Sequence, residues 1–123
     1  MTDDEITEKI IGAAYKVANT LGSGFLEKVY ENALFIEIKK QGLYVKQQYN
    51  LPVYYEGEIV GDYYADLFIE KSVIVELKTA KELAPEFSAQ VINYLKAAKL
   101  NTGLLINFGK PKIEIKRLFG NSK

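Results

Sequence analysis

The 123 residues carry 16 Lys and Arg against 16 Asp and Glu, contain neither Cys nor His, and are 48% hydrophobic. This removes disulfides, zinc sites and every mechanism built on a thiol or an imidazole, leaving carboxylates, Lys, Tyr, hydroxyls and amides for any chemistry. Zero net charge argues against a strongly basic nucleic-acid binder; the lack of a membrane-spanning apolar run or a signal-peptide pattern predicts a cytoplasmic protein of one domain, residues 1–123.

The apolar spacing predicts a helix over residues 3–21, with Ile6, Ile10, Ala13, Val17 and Leu21 on one stripe, acids in its first turn and Gly22 as its stop. A Gly22-Ser23-Gly24 turn leads to a second helix, residues 25–41, stopped by Gly42. Its expected buried stripe is Leu26, Val29, Ala33 and Ile36, adjoined by Tyr30 and Leu34, with Glu27 on its border. From Leu43 the period becomes two. Residues 44–49, 53–55, 59–69 and 73–78 read as an antiparallel meander with a Glu56-Gly57 turn, and Pro52 marks a break or an edge position. Pro85 opens a third helix that runs to about Leu100, with Phe87, Val91, Leu95 and Ala98 inward. Residues 104–108 form an apolar run suited to a strand covered on both faces, and residues 112–119 alternate as a half-exposed last strand. The order α-α-β-β-β-α-β-β predicts an α/β protein built around a mixed sheet.

The chemistry concentrates in residues 62–78. Side chains alternate along a strand, so Tyr64, Asp66 and Phe68 are expected on one side, as are Ile74, Glu76 and Lys78 on the next strand. A three-residue loop, Glu70-Lys71-Ser72, pairs Ile69 with Val73 and sets Asp66 opposite Glu76; a two-residue loop would send the acids to opposite faces. Two carboxylates about 5 Å apart at Cβ repel unless a cation lies between them. Hard oxygen ligands favour Mg²⁺ or Mn²⁺. Two other acid-x-Lys triplets, Glu37-Ile38-Lys39 and Glu114-Ile115-Lys116, lie on a helix and on a solvated strand face. The plain reading of Glu76 and Lys78 is an ordinary cross-strand ion pair, that of Glu27 a solvated carboxylate, and that of Tyr30, Gln90 and Tyr94 packing residues. The remaining tyrosines are expected in sheet and core, not as base-stacking platforms.

Asp66, then Glu76-Leu77-Lys78, a crossing helix and a further strand resemble the PD-(D/E)XK nuclease superfamily, with Ala65 where the superfamily name has proline. Gly24-Phe25-Leu26-Glu27-Lys28-Val29-Tyr30 resembles the signature of its GxxExxY proteins, and Gln90 with Tyr94 the QxxxY element of its RecB-like branch. The resemblance implies a three-layer α/β/α restriction-endonuclease-like fold around a central mixed sheet. It implies metal-dependent hydrolysis of phosphodiester bonds in nucleic acid, DNA before RNA. Asp66 and Glu76 would hold the metal, with the Leu77 carbonyl as a further ligand; Lys78 would orient water and stabilise developing charge. Glu27 would support a water or second ion, and Gln90, Tyr94 and Tyr30 would position phosphate or nucleophile.

Charge distribution adds a binding face. Residues 1–38 hold seven acids against three Lys, residues 39–86 eight against six, and residues 87–123 only Glu114 against six Lys and Arg117. Lys96 and Lys99, on the helix of Gln90 and Tyr94, are therefore expected to grip phosphates, with Lys110 and Lys112 beside them. The expected partner is nucleic acid, with no membrane and with a homodimer left open. The rival reading is a non-catalytic module that keeps this fold and binds nucleic acid or a protein.

Overall fold

A computed structural model describes residues 1–120. Helix α1, Asp3–Leu21, has the predicted bounds. Its start is a reciprocal cap: the Glu5 amide donates to Thr2 Oγ1 and the Thr2 amide to Glu5 Oε1. Helix α2 spans Glu27–Lys40 and α3 Pro85–Ala98, each slightly shorter than the spacing predicts. Lys99 ends α3 in the left-handed conformation, a position more often given to glycine.

The five strands are β1 Val45–Tyr55, β2 Glu58–Ile69, β3 Val73–Lys78, β4 Thr102–Asn107 and β5 Glu114–Phe119, in spatial order β1-β2-β3-β4-β5. The β3–β4 pair is parallel and the others are antiparallel. Pro52 does not break β1, because β1 is an edge strand and its outer amides need no partner. The β1–β2 turn places Glu56 and Gly57 at positive φ, the geometry a two-residue hairpin demands.

Two cores flank the sheet. On one face, Ile6, Ile10, Val17, Tyr30, Leu34 and Ile38 from α1 and α2 pack on Leu67, Val75, Leu77, Leu104 and Ile106. On the other, Val91, Tyr94 and Leu95 of α3 pack on Ala65, Phe68, Ile74 and Leu105. This is the three-layer α/β/α arrangement. The buried stripe of α2 differs from expectation: Tyr30, Glu31, Leu34 and Ile38 face inward, while Leu26 (81% exposed), Val29 and Ile36 face out. Apolar residues occupy two adjoining stripes of this helix, and periodicity alone cannot choose between them. Tyr30 decides it by stacking on Phe108, ring centroids 4.7 Å apart.

The exit from β3 is clamped by Asn107, wholly buried, whose amide takes the Ala80 N–H (3.0 Å) and donates to the Ala80 carbonyl (2.9 Å). Gly109 permits this approach, since a Cβ there would lie 2.5 Å from Ala80 N and O. Gly109→Ala should therefore cost about 2 kcal/mol or more in urea unfolding. Gly12→Ala, in open space on helix α1, should instead stabilise by roughly 0.5–1 kcal/mol.

Candidate active site

The β2–β3 register is the one the odd loop predicts, with Ile69 against Val73, Phe68 against Ile74 and Leu67 against Val75. One residue beyond the last pair, side chains replace the ladder. The Asp66 amide donates to Glu76 Oε1 (2.8 Å), and the Leu77 amide donates to Asp66 Oδ2 (2.9 Å). Each carboxylate thus takes a backbone N–H of the opposite strand at the point where β2 and β3 part. The two acids are brought together as expected.

Strict alternation fails at this same point. Phe68 lies in the α3-side core and Leu67 in the other, yet Ala65 also lies on the α3 side, so Tyr64 does not share a face with Phe68. On β1, Gln48, opposite Asp66, adopts φ of 49°, and the pairing register holds across it, from Gln47 with Leu67 to Tyr49 with Ala65. Its amide donates both to Asp66 Oδ1 (3.1 Å) and to Glu31 Oε1 (2.9 Å). Glu31, buried on α2, also accepts from Lys28 (3.0 Å) and Gln47 (2.7 Å). Neither Gln48 nor Glu31 was singled out from sequence. Glu31 could have been found one helical turn beyond Glu27; the left-handed Gln48 carries no local signal.

Burial, with the Asp66 charge next, pushes the Glu76 carboxyl up to about 8. Burial also raises Asp66, against the Leu77 and Gln48 hydrogen bonds that lower it. Glu27, in the first turn of α2, is raised by burial and then by Asp66, which places it at the rim of the same charge cluster. Lys78 opposes all three effects, yet no carboxylate among the described residues lies within ion-pair distance of it. Its Nζ rests 4.7 Å above the Phe87 ring on α3.

Gln90 donates to the Tyr94 hydroxyl (3.1 Å), while Gln90 Oε1 is buried with no partner among the described residues. Burial and the charges of Glu76 and Asp66 raise the Tyr94 phenol, so this pair borders the acids. Tyr30 lies elsewhere. It is fully buried, its hydroxyl donates to the Gly22 carbonyl and accepts from the Phe25 amide, and it has no surface for substrate. The Gly24–Tyr30 segment thus uses its tyrosine to pin the turn that presents Glu27. Lys96 and Lys99 line a groove beside α3, whereas Lys110 is paired with Glu114 at 3.3 Å.

Among the described residues no three acidic side chains converge as a metal cage. Mg²⁺, however, keeps several waters and is commonly bound through one or two carboxylates. A close acid pair raised chiefly by burial and an orphaned Gln90 oxygen fit such a cation at Asp66 and Glu76, with the Leu77 carbonyl adjacent in sequence. Among the described residues no helix is long and apolar enough to cross a membrane.

Comparison with known proteins agrees with this architecture. The crystal structure of SSO0001 superposes with a TM-score of 0.60 at 18% identity, covering 96% of this chain and 60% of that one. At that identity the likeness concerns the fold, and the chain spans well under two thirds of that protein. No curated protein matches. The sequence pattern of the PD-(D/E)XK nuclease superfamily matches residues 4–118, nearly the whole chain and including every element of the site. With its five-stranded mixed sheet between helical layers, the chain belongs to the PD-(D/E)XK nuclease superfamily.

Proposed function

We propose that this chain is a divalent-metal-dependent phosphodiesterase acting on nucleic acid, DNA before RNA, in the GxxExxY branch of its superfamily. The observation that carries the reading is the reciprocal capping of β2 and β3 by Asp66 and Glu76, with Lys78, which has no ion-pair partner among the described residues, two residues on. Asp66, Glu76 and the Leu77 carbonyl would hold Mg²⁺ or Mn²⁺, which supplies an acidified water and neutralises charge on the scissile phosphate. Lys78 stabilises negative charge as it develops on the phosphate oxygens, an effect strengthened because its ammonium is not spent on an ion pair. Gln90 offers its free Oε1 to a hydrogen of the nucleophile, and Tyr94 fixes the Gln90 amide through its hydroxyl. Glu27 extends the acidic rim toward α2.

The test is cleavage of labelled DNA and RNA with Mg²⁺ or Mn²⁺. Products should appear with wild-type protein, vanish with chelator, and be absent with Glu76→Gln, whose amide oxygen still accepts the Asp66 N–H. No cleavage of any substrate with either metal would leave the non-catalytic binding module as the reading. Equal cleavage by Glu76→Gln would remove this site from the chemistry.

A further inference from the structure

Strand β2 pairs with β3 only from Leu67 to Ile69, but with β1 along nearly its whole length. The β1–β2 hairpin therefore projects as a two-stranded arm past the rest of the sheet. The arm is rich in exposed aromatic surface: Tyr54 is 62% and Tyr63 46% exposed, and Tyr55 and Tyr64 are exposed as well. These residues lie in the sheet, as their sequence context suggests, but outside its cores. Exposed apolar area concentrated on one element marks a binding surface.

A groove of about 630 Å³ lies between this arm and α3. Tyr54 and Tyr63 stand on its arm side, Asn93, Lys96 and Lys99 on its helix side, and Gly61 lines it where any side chain would intrude. Lys96 and Lys99 enter no ion pair among the described residues. The groove runs into a second hollow of about 350 Å³ that shares Tyr63 and Asn93 and adds Gln90 and Tyr94. The Tyr63 and Tyr94 rings lie 5.4 Å apart, so the path continues to the Gln90–Tyr94 pair.

We propose that this groove binds a single strand of nucleic acid, with bases stacked on Tyr54 and Tyr63 and phosphates against Lys96 and Lys99. Its arrangement of π-faces on one wall and free cations on the other is complementary to a strand whose bases and phosphates lie on opposite sides. A duplex buries its base faces and could not use the tyrosines. The volume, within the ~300–1,000 Å³ typical of small-ligand sites, suits one or two nucleotides. That the strand then reaches Asp66 and Glu76 rests on the hydrolytic reading; the binding does not.

The experiment is fluorescence anisotropy of a labelled oligothymidylate and of a blunt duplex, in chelator so that cleavage cannot interfere. Wild-type protein should prefer the single strand. Tyr63→Leu should weaken single-strand binding about five-fold or more and leave duplex binding unchanged. Gly61→Leu should do the same by filling the groove; a Cβ there meets Val53 at an ordinary 3.5 Å, so the fold tolerates it. Lys96→Ala with Lys99→Ala should weaken binding and flatten its salt dependence by roughly one unit per lost contact, and Lys9→Ala with Lys16→Ala should do neither. Equal affinity for strand and duplex, wild-type affinity in both groove variants, or no binding at all overturns the proposal. So does a wild-type dimer that Tyr63→Leu dissociates without affecting oligonucleotide affinity, which would make the arm a protein interface. Groove-dependent binding with no cleavage in Mn²⁺ upholds the groove and removes the hydrolytic reading; cleavage with unaltered binding in the groove variants does the reverse.

Discussion

Lys78→Ala is expected to lower the rate of the proposed nucleic-acid cleavage by about 100-fold or more and to leave the Mn²⁺ dissociation constant within a few-fold. The reason lies in how Lys78 is held. It follows Glu76 by two residues on β3, and its charge reaches Glu27, Asp66 and Glu76 without closing on any of them. Phe87 supports it from α3. A protonated ammonium has no lone pair to give a metal, so removing it takes no ligand away. On the hydrolytic reading, what would be lost is a fixed cation beside the place where a phosphate gains negative charge. Lys78→Arg should recover only part of the rate, because a planar fork does not sit as a point charge does. Single-turnover cleavage alongside calorimetric titration separates the two effects, and near wild-type cleavage by Lys78→Ala would assign the charge stabilisation to another group.

Metal-free protein is expected to lose stability as pH rises from about 5 to about 8, and Glu76→Gln to abolish most of that loss. In the unfolded chain this carboxyl titrates near 4.5; burial and Asp66 move it to about 8 in the folded state. Between these values the folded protein holds a proton that the unfolded chain has released, so stability is full below the lower value and is lost on passing the upper one. At about 1.4 kcal/mol per pKa unit the loss is on the order of 4 kcal/mol, or roughly 10 °C or more in Tm. Asp66 and Glu27 are raised as well and act in the same direction. Glu5, Glu37 and Glu114 are lowered, so their contribution disappears only on acidification, outside this window. Thermal melts in chelator across pH 5–9 provide the check, and a flat wild-type profile would contradict the burial of an uncompensated acid pair. Added Mg²⁺ should restore the alkaline loss in wild type and do nothing for Glu76→Gln.

Much of the site was legible because it rests on local rules. The odd loop length fixed the β2–β3 register, and the capped amphipathic pattern fixed both ends of α1. What escaped depends on contacts distant in sequence. The α2 stripe turns on Tyr30 meeting Phe108, seventy-eight positions away in the numbering, and composition alone cannot choose that face over the one bearing Leu26. The departure from strict alternation at Asp66 coincides with a left-handed Gln48 on the paired strand, a residue type with no special preference for that conformation. Glu31 reads as one more helix acid until Gln47 and Gln48 of β1 close on it. Exposed Tyr54 and Tyr63 look like ordinary strand residues because alternation says which residues share a face, not whether anything covers it.

The central claim is that Asp66 and Glu76 form a cation site, and isothermal calorimetry with Mn²⁺ tests it most directly. Wild-type protein should bind one Mn²⁺ per chain near neutral pH and release protons as Glu76 ionises, so the heat should vary with the ionisation enthalpy of the buffer. Asp66→Asn and Glu76→Gln should each lose that binding while remaining folded. Absence of Mn²⁺ binding in the wild-type protein, or binding that survives both substitutions, would contradict the account.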